Sequence, residues 1–191
     1  MKILLGSAVG IIAIIGIVVG GAYWMYTTHA ASSQGAAASS YLDATYTIAG
    51  IRVTLSNGHA EQAVAPGSAS KLVTSYFGNK LEADLNDDGR TDEVFLLTQS
   101  AGGSGTFYYV VAALNTPQGW VGSDGYFLGD RIAPQTTEMS SNPRQHNVIV
   151  VNYADRAPNE PMTARPSIGK SVYLKLDPQT MQWGIVANNF E

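Results

Sequence analysis

The sequence predicts a mostly β protein, an antiparallel, sandwich-like ectodomain behind a single N-terminal transmembrane helix. Three observations carry that class. Ile3 to Ala22 is an uncharged apolar run. Beyond residue 40 the chain breaks into short β-branched and aromatic segments bounded by Gly, Pro, Asn or Asp. No stretch there repeats apolar residues at i, i+3, i+4 and i+7, as an amphipathic helix requires.

The apolar run comes first. At about 1.5 Å rise per residue it spans roughly 30 Å, the thickness of a bilayer's hydrocarbon core. Lys2 precedes it, and Tyr23, Trp24 and Tyr26 follow where amphipathic rings favour the lipid–water interface. Residues 1–26 therefore read as a membrane anchor, embedded through residues 3–26. The positive-inside tendency puts the N-terminus in the cytoplasm. The expectation is a single-pass inner (cytoplasmic) membrane protein whose C-terminal domain lies outside the cytoplasm, in a periplasmic or extracellular space. The competing reading is a cleaved signal peptide, since small residues follow in "HAASSQGAAASS". The apolar run exceeds the roughly 7–15 residues usual for a signal, which favours an uncleaved anchor. Gly6, Gly10, Ala13, Gly16 and Gly20 line small side chains along one helical face with two G-x-x-x-G spacings, a surface for a homodimer. Residues 27–40 are Ala, Ser, Thr, Gly and Gln with one histidine. That composition buries no core and reads as a flexible linker with a reach of roughly 20 Å.

Residues 41–191 have the size of one ordinary domain. The chain has no cysteine, which excludes disulfides, thiol catalysis and cysteine-ligated zinc. Its formal net charge is −4, yet Glu82 to Glu93 alone holds Glu82, Asp84, Asp87, Asp88, Asp92 and Glu93 against Arg90. The acidity is one site on an otherwise nearly neutral chain, and nothing resembles a basic nucleic-acid footprint.

The strands follow in order. "YTIAGIRVTLSNGHAEQAV" alternates Tyr46, Ile48, Ile51, Val53 and Leu55 with polar residues and is broken at Ala49-Gly50 and Asn57-Gly58. Asn-Gly is a strong two-residue hairpin signal, so a meander of three short strands is expected. Further strands are expected at 71–77, 93–99, 106–114, 125–132, 147–153, 171–176 and 181–187, with a short helix opening 68–77 as an option. The last two should face each other across "DPQT", a turn with proline at its second position.

"DLNDDGRTD" carries the most specific chemistry. Asp84, Asn86, Asp88 and Asp92 stand at positions 1, 3, 5 and 9 of a loop with Gly89 at position 6. Alternate side chains can turn inward while the glycine permits the bend, and the carbonyl of Arg90 at position 7 points to the same centre. Hard oxygen donors at that spacing suit Ca²⁺. Asp87 and Leu85, at even positions, should point away. Without an ion the same residues would form an Asx-rich turn capping backbone N–H groups. The pattern resembles the calcium loops of EF-hands, dockerins and the FG-GAP repeats of integrin-like propellers. Phe95 at position 12, where an EF-hand has a bidentate glutamate, removes the EF-hand version. The strand that follows directly matches the FG-GAP context. More widely, "DLNDDGRTDEVFLLTQ", "GGSGTFYYVVAAL", "LGDRI" and "NEPM" resemble a family of uncharacterised exported bacterial proteins. In that family such a β domain is sometimes joined to META or lysozyme-inhibitor-like domains. The resemblance implies an extracytoplasmic β domain and lends no catalytic residue.

The remaining motifs read as structural. "GGSGT" (102–106) lacks a P-loop lysine and a following helix, and Thr106 replaces the last glycine of a nucleophile elbow. Ser68 and Lys71 have S-x-x-K spacing without the S-D-N and K-T-G partners. His59 and His146 are in no ligand spacing. Asp130-Arg131 and Asp155-Arg156, as neighbours on a strand, should point to opposite faces and anchor loops without bridging internally. Trp120, Tyr126, Tyr153 and Trp183 could line a glycan or peptide groove, or pack. The function expected is a membrane-anchored, calcium-stabilised binding or envelope module whose protein or glycan ligand the residues do not name. The alternative class is a cell-envelope hydrolase using acids near the ion, which needs an open coordination position and a carboxylate base beside its water.

Overall fold

The computed structural model describes residues 38–187. The expected membrane segment at 3–26, its glycine face and residues 27–37 of the linker lie outside them. Among the described residues no helix is long and apolar enough to cross a membrane, and helix is confined to one 3-10 turn, Tyr41–Asp43. The fold is otherwise β, with strands β1 (Thr45–Ile48), β2 (Ile51–Thr54), β3 (His59–Ala63), β4 (Lys71–Ala83), β5 (Asp92–Ser100) and β6 (Phe107–Thr116). These are followed by β7 (Gly119–Gly122), β8 (Tyr126–Asp130), β9 (Ala133–Met139), β10 (Val148–Asp155), β11 (Ile168–Asp177) and β12 (Gln182–Ile185).

They form three antiparallel sheets: the hairpin β1-β2, the order β12-β11-β10-β9, and the order β3-β4-β5-β6-β7. β7 and β8 share the far side of β6, β7 pairing with Ala113–Thr116 and β8 with residues 107–110. Alternation along β5 and β6 builds two cores. Val94, Leu96, Val110, Ala112 and Leu114 pack with Ile149, Val151, Leu174 and Leu176 of the four-stranded sheet. Phe95, Leu97, Tyr109, Val111 and Ala113 face the other way, onto Tyr46, Ile48, Val53 and Leu55 of the hairpin. The central strands are therefore covered on both faces, which is why "EVFLL" and "YVVAAL" read as continuous apolar runs. Full burial of each such side chain contributes roughly 1.5–3 kcal/mol. The approach of β1 to β7 needs Gly122, where a Cβ would stand 2.4 Å from the Thr45 carbonyl oxygen and 2.7 Å from the Tyr46 ring.

All ten expected strands are present, with four differences. The meander is split: Asn57 (φ 54°) and Gly58 (φ 80°) do make the tight turn, but only Ser56 and His59 bridge across it. β2 then stays on the hairpin while β3 joins β4, because Val53 belongs to the core above the six-stranded sheet. Residues 68–70 form no helix and lead directly into β4. β4 runs six residues further than expected, carried past Gly78 (φ 118°) and Asn79 (φ 50°) by register shifts. β7 and β9 were not expected: "GWVG" is framed by glycines and "APQTTEM" is polar. At the N-terminal boundary, Ala38 accepts a hydrogen bond from Trp120 N at 3.0 Å and Ser40 Oγ caps Leu42 N at 3.1 Å, so residues 38–40 of the expected linker contact the domain.

Candidate functional site

The extension of β4 pairs Ala83 with Asp92 and turns residues 84–91 into the loop of a β4–β5 hairpin. Within it the side chains fold back on the backbone. Asp84 Oδ1 accepts from Asn86 N at 3.3 Å and Asp88 N at 3.2 Å, and its Oδ2 accepts from Gly89 N at 2.8 Å. Asn86 Oδ1 accepts from the same Asp88 N–H at 3.3 Å, so oxygens of positions 1 and 3 converge on one point. Asp88 Oδ1 accepts from Arg90 N at 2.9 Å, and its Oδ2 accepts from Asn86 Nδ2 at 2.9 Å and from the Arg90 guanidinium. Gly89 has φ 81°, which its place in the bend requires. Leu85 turns away into the core and is 3% exposed, and Asp87 turns to solvent, both as the alternation requires.

Asp92 behaves differently from the other acids. It is fully buried, with Oδ2 accepting from Leu85 N at 2.9 Å and Oδ1 from Asn115 N at 2.8 Å. It straps the start of the loop to the end of β6. Burial pushes its carboxyl above the usual range, aided by the charges of Asp88 and Asp84 and opposed by its two N–H partners. Asp84 lies the other way, held below the usual range chiefly by the Gly89 N–H. Asp84, Asn86 and Asp88 carry the hard oxygen donors that suit a hard cation, and in this geometry those oxygens accept from loop N–H groups, the arrangement of a capped Asx-rich turn. Asp92 is engaged elsewhere, and among the described residues no three His, Cys, Asp or Glu side chains gather as a metal cluster. Arg90, expected for its carbonyl, also brings its side chain, which spans Asp88 and the Asn115 carbonyl at 2.5 Å.

Two neighbours of the site, Lys80 and Asn115, were not expected, and His146, expected in no ligand role, also lies beside it. Lys80 lies two residues before Glu82 on one strand face and bonds it, and stands 3.4 Å from Glu93 Oε1. That i, i+2 spacing was the available signal. Directly paired Glu82 and Glu93 thus share one cation. Burial raises the Glu93 carboxyl, and its Oε2 has no hydrogen-bond partner. Asn115 and His146, whose Nε2 is 3.7 Å from Asp87, arrive from distant sequence and offered no local signal.

The other motifs resolve structurally. "GGSGT" is the β5–β6 connection. Lys71 pairs with Glu61 at 2.5 Å and Ser68 Oγ accepts from Ser70 N, so they form no nucleophile–base pair. Asp130 and Arg131 do bridge internally, contrary to the alternation argument. Arg131 has φ 50° beyond the end of β8, and its guanidinium curls back onto Asp130 at 2.8 Å. Arg156 donates to the Ala164, Asp130 and Arg131 carbonyls and ties its loop to that corner, as expected. Trp120 packs edge-on to Tyr41 with centroids 5.8 Å apart, and Tyr126, Tyr153 and Trp183 pack against the core between the large sheets. One groove, lined by Arg52, Thr54, Ser56, His59, Ala60, Glu61 and Gln62, contains no residue of the acidic loop.

Comparisons with protein-family models, curated proteins and solved structures return no match to this chain.

Proposed function

We propose that the chain is a membrane-anchored, extracytoplasmic β module that acts by binding, with calcium taken up at Asp84, Asn86 and Asp88 as a structural ion. The anchor is residues 3–26, and its glycine face at Gly6, Gly10, Gly16 and Gly20 supports self-association in the bilayer. The observation that supports the ion is the gathering of side-chain oxygens of Asp84, Asn86 and Asp88 within one short loop, beside the Asp92 carboxyl, which burial raises first and the charges of Asp88 and Asp84 raise further. Asp92 then orients the loop against β6 in place of ligating directly. The separation of the acids from the groove favours a structural ion over a hydrolytic one.

The test is the thermal unfolding of the full chain in detergent micelles, with and without millimolar Ca²⁺. For an extracellular-type Kd of roughly 10⁻⁴ M, millimolar calcium stabilises the folded state by about 1–2 kcal/mol and raises Tm by several degrees. Mg²⁺, which demands a tighter shell, does much less. Asp88→Ala abolishes the response and Asp87→Ala, an exposed control of equal charge, keeps most of it. Equal loss in both variants, or no response in the wild type, overturns the ion.

A further inference from the structure

The split between β2 and β3 leaves two strand edges open. The two-residue turn at Ala49-Gly50 makes Ile48 and Ile51 a bonded pair, and Tyr46 with Val53 the next. Arg52 and Thr54 therefore direct their main-chain groups away from β1. The same alternation on β1 sends the Thr47 groups outward, to Ser123 O and Gly125 N. On β3, Tyr76 N bonds Gly58 O and Val64 N bonds Ser70 O, so Gly58, Ala60, Gln62 and Val64 face β4 while Glu61 and Ala63 face outward. These outward groups would continue the Ser56–His59 bridge if the hairpin zipped shut. It does not, because β2 is held in the layer above by Val53 and Leu55.

Between the two edges lies the groove of about 670 Å³. Its walls carry main-chain donors and acceptors with no main-chain partner among the described residues. One side-chain bridge crosses it, Gln62 Nε2 to Arg52 O at 2.9 Å. The charges on the walls are unevenly committed. Glu61 is engaged by Lys71 at 2.5 Å and stands 3.7 Å from His59. The exposed Arg52 guanidinium makes no ion pair among the described residues. The groove thus offers strand-type hydrogen bonding and one uncommitted positive charge.

We propose that this groove docks an extended acidic peptide segment of a partner protein. The segment adds as a strand to the open β2–β3 edges while one of its carboxylates pairs with Arg52. Main-chain pairing supplies the affinity, as in other β-augmentation sites, and Arg52 selects the acidic residue. The inference rests on the reading of the domain as a binding module and names its partner's chemistry, but it does not depend on the ion.

The full chain in micelles is panned against a random dodecapeptide display library, and recovered peptides are titrated as fluorescein conjugates by anisotropy. Recovered peptides are expected to carry Asp or Glu flanked by β-branched or aromatic residues. Arg52→Glu, a change at an exposed side chain, weakens binding by about tenfold or more, since it places like charges together. N-methylation of alternate peptide residues, which removes main-chain donors, abolishes it. No recovered peptide, recovery without acidic enrichment, or binding indifferent to Arg52→Glu or to N-methylation overturns the groove. A chain that binds the peptide without any calcium response overturns the ion alone.

Discussion

The N–H of Asn115 donates to Asp92 Oδ1 at 2.8 Å, joining the end of strand β6 to the first residue of β5 through a fully buried carboxylate. The other oxygen of Asp92 holds the Leu85 N–H. Asp92→Ala therefore strands two N–H groups, and a stranded buried polar group costs about 1–3 kcal/mol. The expected loss is roughly 2–6 kcal/mol in urea unfolding, with calcium absent. A loss below about 1 kcal/mol would mean that water satisfies both groups and that the strap is not structural.

Arg90 competes with any ion for Asp88. Its guanidinium bonds Asp88 Oδ2 and its Nε bonds the Asn115 carbonyl. Arg90→Gln should therefore lower stability in EDTA by about 1 kcal/mol, the net worth of such hydrogen bonds. It should also enlarge the calcium-induced rise in Tm, because the freed carboxylate is available to the cation. A calcium response that shrinks in Arg90→Gln would show that the arginine positions the ligands and does not oppose the ion.

Titration separates the buried acids from the turn acids. Burial raises the carboxyls of Asp92 and Glu93. An acid whose folded pKa is raised takes up its proton more readily when folded, so its contribution to stability grows as pH falls towards the ordinary carboxylate range near about 4. Asp84, Asp130 and Asp155 are lowered, chiefly by the Gly89 N–H, Arg131 and Lys170. Their stabilisation is full above the ordinary range and is lost as pH falls through their folded values. In EDTA, the urea midpoint should rise as pH falls from neutral towards the ordinary carboxylate range and should fall below about pH 4. Glu93→Gln flattens the rising arm and leaves the acid limb; an unchanged rise would remove Glu93 as its source.

Legibility tracked how local the determining contacts are. β5 and β6 were plain because Val94–Leu97 and Val110–Leu114 are apolar and buried, and the β11–β12 turn was plain because Pro178 and the Asp177 carboxylate build it locally, Gln179 N bonding Asp177 Oδ1 at 2.9 Å. β9 was invisible because its place depends on pairing with β10, and "APQTTEM" has no face of its own to bury. The separation of β2 from β3 was invisible for a related reason. Asn57-Gly58 specifies the turn, but which layer takes Val53 is decided by the distant strands β5 and β6. In the acidic loop the positions were readable and the partners were not. Asp92 appears as a ligand in the sequence pattern, while its bond to Asn115 crosses 23 residues.

The proposed topology can be checked at the N-terminal boundary of the domain. The Ala, Ser and Gly composition of residues 27–37 favours an exposed tether, and such segments are where proteases cut. From Ala38 onward the chain is held: Ala38 O bonds Trp120 N, Ser40 caps the 3-10 turn, and Tyr41 lies within ring contact of Tyr76, Phe95 and Trp120. Protease added outside spheroplasts should therefore release a soluble fragment whose N-terminus falls between residues 27 and 37 and stops short of 38. A fragment that forms only after membrane lysis reverses the proposed orientation. Cleavage inside 38–43 would instead mean that the Tyr41 contacts are too weak to hold the start of the domain against its sheet.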